Sequence, residues 1–403
     1  IKCGSYTGNG SADGPEINLG FEAQWVMIKR TDAAGNDWVM MDIMRGMPAD
    51  SGGAYLRANL SNNEAATAYM QPTPTGLKVR GTGSTQANAN GGTYIYMAIR
   101  RGPLAPPTAA TEVFAMDMDG ATNNHLTSGF PVDLGVYKSK LNTYNWSFND
   151  RLRGALSLKS NTNAAENGNT LAVFDNNTGW ADSAGLTSEY PSWMWKRAPS
   201  FFDVVAYTGN STSGRTISHS LGVAPEMMWF KCRTHTENWN VYHKDIDVHG
   251  DNAPATDLMY LNHSHAASNA GINTFQNTEP TASVFTLGSA SHINGSSRTY
   301  IAYLFATLAG VSKVGSVTHS GTTNVDCGFS AGARFVLLKR TDATGDWYVW
   351  DSVRGIIAGN DPYLLLNSTA AEVTNTDHID PLASGFTITS TLTAGDYIFY
   401  AIA

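Results

Sequence analysis

KRTDAAGNDWVMMDIMRG, residues 29–46, returns almost unchanged as KRTDATGDWYVWDSVRG at residues 339–355. A shorter return, WSFNDRLRG, occupies residues 146–154. Counted from each Trp, an Asp stands at +4, an Arg at +7 and a Gly at +8: Trp38/Asp42/Arg45/Gly46, Trp146/Asp150/Arg153/Gly154 and Trp347/Asp351/Arg354/Gly355. Three hits on a four-position pattern identify an internal-repeat protein, and a period near 100 residues gives each repeat enough chain for its own core, unlike a 20–50-residue solenoid unit.

Working outward from these stretches, four units are expected: 1–101, 102–199, 200–311 and 312–403. The first opens on Gly4–Gly10 and closes on Thr93–Ile99. Its central hairpin, Trp25–Lys29 and Trp38–Asp42, carries apolar residues on both strand parities, which predicts burial on both faces. The Asp/Gly-rich connection between them suits a hairpin loop longer than two residues. The second unit follows Gly102-Pro103-Leu104-Ala105-Pro106-Pro107, a stiff connector that cannot enter a sheet interior. It is the most divergent unit, with Gly135–Lys138 and Trp146–Gly154 as its hairpin and Ser192–Lys196 as its closing strand. The third keeps Trp239 but has His243 at the Asp position, and closes on Thr299–Phe305. The fourth opens on Gly315–Gly321 and ends on Asp396–Ile402. Start and stop at repeat boundaries suggest a piece of a longer array.

A second signature supports this register. Asn59/Glu64, Asn161/Glu166 and Asn367/Glu372 each sit five apart after a Leu-containing strand, whereas the third unit has Asn262 and then Ala267. No segment carries 3.6-residue periodicity over 12 or more residues. Short strand-like runs punctuated by turns are the sandwich pattern. The expected fold is therefore all-β, a tandem array of about four antiparallel β-sandwich units of jelly-roll or lectin-like type.

Composition points the same way. Only 15% of residues are charged, and polarity comes from Asn, Thr, Ser and 39 glycines, a strand-and-turn profile. The net charge of −8, from 26 basic and 34 acidic residues without basic clusters, argues against nucleic acid as a partner. No apolar run reaches the roughly 20 residues of a membrane helix, so no membrane insertion is expected, and the first residues show no signal-peptide pattern. Cys3, Cys232 and Cys327 are odd in number and far apart. They are expected as buried or half-buried free thiols, in keeping with folding in a reducing compartment.

Several groups invite a chemical reading. An aromatic plane at Trp38, Trp146 or Trp347 with neighbouring Asp and Arg could hold a sugar ring, but presence in three units favours a structural role: Trp in the core, Asp and Arg tying the following loop to the strand end. Arg340–Asp346 lacks the alternating ligands and closing Glu of a calcium loop, and reads as an Asp-stabilised turn. Seven histidines concentrate in the third unit: His219, His235, His243, His249, His263, His265 and His292. His263 and His265 could pair on one strand face, but nothing nearby completes a metal set, so surface positions and no metal or cofactor are expected. Glu112, Asp117 and Asp119 are the carboxylates a glycan depolymerase would need. Their spacing departs from the Glu-x-Asp-x-x-Glu pattern of laminarinase-type sandwiches, and neither a nucleophile elbow nor a P-loop occurs. No catalytic residue is assigned, and the ligand-binding residues stay open.

WKRAPSFFDVVAYTG (195–209), ISHSLGVAP (217–225), NTEPT (277–281) and the stretch from Gly20-Phe21 through Lys29–Asp32 carry a family resemblance. They resemble the repeated domain of uncharacterised virion proteins in tailed bacteriophages, especially of marine and cyanobacterial hosts, over nearly the whole chain. The resemblance implies a non-enzymatic structural protein of the virion, assembled in the host cytoplasm and exposed on the particle. A tail-fibre or surface-appendage component contributing to host attachment is the leading expectation. It would be a homo-oligomer contacting other virion proteins and a host surface glycan or protein. A capsid-decoration or tail-associated protein without a receptor role is the alternative, and a glycan depolymerase the alternative from another class.

Overall fold

In the computed structural model, which describes residues 1–49, 52–118, 125–181 and 186–403, every strand pairing is antiparallel and the sheets form four sandwich-like units. Each unit has one large sheet in which its first strand lies beside its last, followed by the two hairpin strands. In the fourth unit the order is Ser312–His319, Gly395–Ile402, Phe335–Arg340, Trp347–Asp351, Leu364–Leu365. The first unit repeats it with Lys2–Thr7, Thr93–Arg100, Ala23–Arg30, Val39–Asp42, Gly53–Arg57 and Ala65–Thr67. The third repeats it from Phe202–Thr208 to Ser268–Asn269. The second is reduced to Phe114–Asp117, Ser192–Trp195, Leu134–Tyr137 and Ser147–Asp150, with two-stranded remnants beside it. The α-helices at Ile272–Phe275 and Ser291–Asn294 have four residues each.

Strand alternation gives each large sheet two faces. The inner face closes on the unit's own small sheet, as where Val336, Leu338 and Trp350 meet Phe386 and Ile388 in the fourth unit. Inner clusters of the same kind fill the first, second and third units. The outer faces of units two, three and four meet in a single central core. It brings together Phe148, Trp193 and Trp195 with Trp229, Trp239 and Tyr303, and with Phe335, Trp347 and Tyr400. This explains why both parities are buried in Met227–Cys232 and Phe335–Lys339.

The first unit departs from the expectation of burial on both faces. Its outer-face residues align by strand register with those of the fourth: Trp25 with Phe335, Met27 with Leu337, Ile95 with Ile398, Met97 with Tyr400 and Ile99 with Ile402. Yet Ile95 and Ile99 are each 39% exposed, against 2% and 0% for Ile398 and Ile402. Trp25, Met27, Trp38, Met40 and Met97 are half-buried. The unit docks instead through its margin. Arg197, buried, forks both oxygens of Glu22 at 2.7 and 2.6 Å and reaches Asp203 at 2.7 Å. Ala49 N–H donates to Leu152 O at 2.6 Å. Among the described residues, the outer face therefore meets no other unit.

Candidate functional site

The repeated motif builds a strand end. In each of its three copies the Asp carboxylate accepts the backbone N–H of the Arg three residues on, at 2.8 Å in Asp42, 3.0 Å in Asp150 and 2.9 Å in Asp351. The Arg Nε returns to the other carboxylate oxygen at 2.5–2.7 Å. Gly46, Gly154 and Gly355 follow at φ of 108°, 64° and 131°, backbone that a Cβ would strain. His243 takes the Asp role in the third unit: its Nδ1 accepts the Asp245 N–H at 3.1 Å, as Asp351 Oδ1 accepts that of Val353.

The second signature is a bracket. Asn59, Asn161, Asn262 and Asn367 each accept the backbone N–H of their unit's Trp, at 2.9–3.0 Å. Each also donates from Nδ2 to the residue before that Trp. The paired Glu closes on the motif arginine in Arg45–Glu64, Arg153–Glu166 and Arg354–Glu372, at 3.1, 3.7 and 3.0 Å.

Among units two to four these parts become an interface. Trp146 Nε1 donates to Leu365 O of the fourth unit, Trp239 to Lys159 O of the second and Trp347 to Tyr260 O of the third, at 2.8, 2.9 and 3.0 Å. Each acceptor stands two residues before its unit's bracket Asn. A second cycle runs the opposite way, from Glu166 N–H to Arg233 O, Ala267 N–H to Thr341 O and Glu372 N–H to Lys140 O. Donors and acceptors close after three steps, so the three units are related head to tail about a pseudo-threefold axis. Asp150 accepts from Tyr303 Oη of the third unit at 2.7 Å, and Asp351 from Trp193 Nε1 of the second at 3.0 Å. Lys138, Lys231 and Lys339 lie wholly buried and are pushed down to about 8 by burial. Their ammonium groups are held on backbone carbonyls, Lys339 on Ser264 and His265 of the third unit.

Burial outweighs hydrogen bonding here. Each interfacial Trp removes on the order of 200 Å² from water, about 5 kcal/mol as an upper limit at ~25 cal/mol/Å². An N–H···O bond adds about 1 kcal/mol net. Apolar area supplies the affinity, and the indole N–H groups fix the register.

The remaining sequence candidates scatter. His263 and His265 stack at 4.8 Å, with His263 Nε2 against Asn238 Oδ1 at 3.1 Å. No group of three or more metal-type side chains converges among the described residues. The surface expectation for the histidines fails at His219 and His243, which are 7% and 0% exposed. His219 seats Nε2 against Thr281 O at 3.1 Å and stacks on Phe285, while His243 fills a motif position that faces the shared core. Asp342 is held by Arg340 at 2.7 Å, as the turn reading requires. Of the carboxylates, Glu112 caps Thr108 and Ala109, and the Thr108 hydroxyl holds it below the usual carboxylate range, the wrong direction for a general acid. Asp117 accepts Thr127 N–H at 2.7 Å, and Asp119 lies outside the described residues. All three cysteines are free; Cys232 and Cys327 are buried, whereas Cys3, on an edge strand, is exposed and corrects the expectation of burial.

The divergent second unit opens a cleft of about 310 Å³ where the other units carry a fuller sheet. Tyr137, Tyr144 and Tyr190 stand on its walls with Asn167, Asn169 and Lys159. Asn169 Nδ2 links Tyr137 Oη, Ser147 Oγ and Asn149 Oδ1 at 3.0–3.2 Å, a fixed polar floor. Tyr144 is 56% exposed, a free aromatic face at the rim. Aromatic planes beside amide and hydroxyl groups are the chemistry that packs on and hydrogen-bonds a sugar. Sequence reading left these residues unassigned because no motif marks them.

A model of the family described as a domain of unknown function (DUF7483) matches residues 1–103 and 109–403. No curated protein matches the chain.

Proposed function

We propose that this chain, which belongs to the DUF7483 family of unknown function, is a non-enzymatic structural protein of a tailed-bacteriophage particle, a tail-fibre or surface-appendage component that contributes to host attachment. The phage assignment rests on the sequence resemblance over residues 195–209, 217–225, 277–281 and 20–32. The observation that carries the attachment role is the tyrosine-walled cleft of the second unit, with Asn169 at its floor and Tyr144 at its rim. A weak sugar contact there gains strength when the particle presents many copies.

Two measurements test the reading. Immunogold labelling of intact virions should decorate an appendage, and label confined to the capsid shell would favour the decoration alternative. The purified chain, displayed multivalently, should bind host cells, and Tyr144→Ala with Tyr190→Ala should reduce binding at least tenfold. Undiminished binding by that variant would remove the cleft from the argument. Release of reducing ends from host polysaccharide would overturn the non-enzymatic reading.

A further inference from the structure

The first unit carries the outer face that its three sister units bury, and inside the described chain nothing covers it. The match extends to polar atoms. Trp38 stands where Trp146, Trp239 and Trp347 stand, but among the described residues it donates only its backbone N–H, to Asn59, with no bond from Nε1 like those its counterparts give a neighbouring unit. Arg57, two residues before the bracket Asn59, occupies the position whose carbonyl accepts an indole N–H in each sister unit. Glu64 N–H and Thr31 O likewise occupy the positions of the reverse cycle. One unit thus holds both the donor and the acceptor of a head-to-tail contact, with half-buried Trp25, Met27, Met40 and Met97 between them.

Units two to four cannot supply the missing neighbours, because their own faces saturate one another in a ring that closes after three steps. From this we propose that the chain is a homotrimer through its first unit: three copies of residues 1–101 pack by the geometry that units two to four use within one chain. Trp38 of each copy then donates to Arg57 O of the next. Isoleucines exposed by 39% in the single chain enter a core like that holding Ile398 and Ile402. Cys3 pairs with Met97, as Val314 pairs with Tyr400, and so becomes enclosed. One contact differs. Met97 stands where Trp193 and Tyr303 donate to a neighbour's Asp, so Asp42 relies on Arg45 and the backbone of its own unit. This inference stands on the internal repeat and is independent of the attachment reading.

Sedimentation equilibrium or native mass spectrometry of the full chain should give three times the 43.2 kDa of one copy. The double variant Met97→Asp/Ile99→Lys should sediment as a monomer. Its circular dichroism and main unfolding transition should be retained, because both side chains point away from the unit's own core. Leu141→Lys, at a 65%-exposed position in the second unit, should leave the trimer intact. Maleimide labelling of Cys3 should be at least tenfold slower in the wild type than in the double variant. A monomeric or dimeric wild type would overturn the proposal. So would a trimer that survives the double variant with Cys3 labelling unchanged, since the copies would then meet elsewhere.

Discussion

Arg197, in the second unit, ties it to two others: its guanidinium holds Glu22 of the first and Asp203 of the third, while its backbone N–H reaches Asp133 of its own unit. Burial opposes the charge on Asp203, but Arg197 and Arg101 overcome it and hold the carboxylate below its ordinary range. Removing one member of a buried charge cluster leaves the others unpaired and desolvated. Arg197→Met should therefore cost about 3–5 kcal/mol, read as a lowered denaturation midpoint. No local spacing revealed this group, because Glu22 lies 175 residues from Arg197. His243 is the opposite case. Its alignment with Asp42, Asp150 and Asp351 is plain in the sequence, but its burial follows only once the Asp position is known to face a shared core. Burial drives its imidazole down to about 3, outweighing the pull of the Phe399 backbone. With the folded value below the unfolded one near 6.5, the unfolded chain binds more protons between about 3 and 6.5. This contribution is whole above pH 6.5 and is lost as pH falls through that window. His243→Asn keeps an acceptor for the Asp245 N–H but cannot titrate. Relative to that variant, the wild type should lose up to ~1.4 kcal/mol per pH unit below pH 6, measurable by denaturant titration at pH 7.5 and 5.

At the scale of the element, the hairpin from Lys29 to Gly46 and its returns were legible because their requirements are local. A long connection needs Asp and Gly, and the strand end needs a carboxylate and a left-handed glycine. The Asn bracket was legible as a spacing and became intelligible only in three dimensions, where it holds the first N–H of the second hairpin strand. Asn367→Ala leaves the Trp347 N–H unpaired in a partly buried site and should cost about 1–3 kcal/mol. Asn59→Ala, where water can reach the freed N–H, should cost less than about 1 kcal/mol. Equal losses at the two sites would show that the bracket acts only within its own unit. The cleft of the second unit was illegible for a different reason. It arises where strands are missing, and a deletion leaves no positive mark in a pattern.

For the whole molecule, the sequence reading of four self-sufficient modules meets its limit at the central core. Each unit has an inner core of its own, but the outer faces of three are stable only against one another. Residues 102–403 should unfold in one cooperative transition, seen as coincident fluorescence and circular dichroism curves. Residues 312–403 alone expose Phe335, Trp347, Ile398 and Tyr400 together, a patch large enough to drive association. That fragment should be recovered as soluble aggregate or inclusion bodies; a stable soluble monomer would contradict the shared core.

The closed cycle of Trp146, Trp239 and Trp347 has one more consequence, for inheritance. A ring made of three separate identical chains receives every substitution three times over, so each residue must suit all three positions at once. Covalent fusion lifts that restriction, and it also fixes the local concentration of the partners. His243 could replace an aspartate in one position, and the second unit could shed strands to open a cleft, while the other positions kept the ring closed. A first unit that met only its own copies would have had no such freedom.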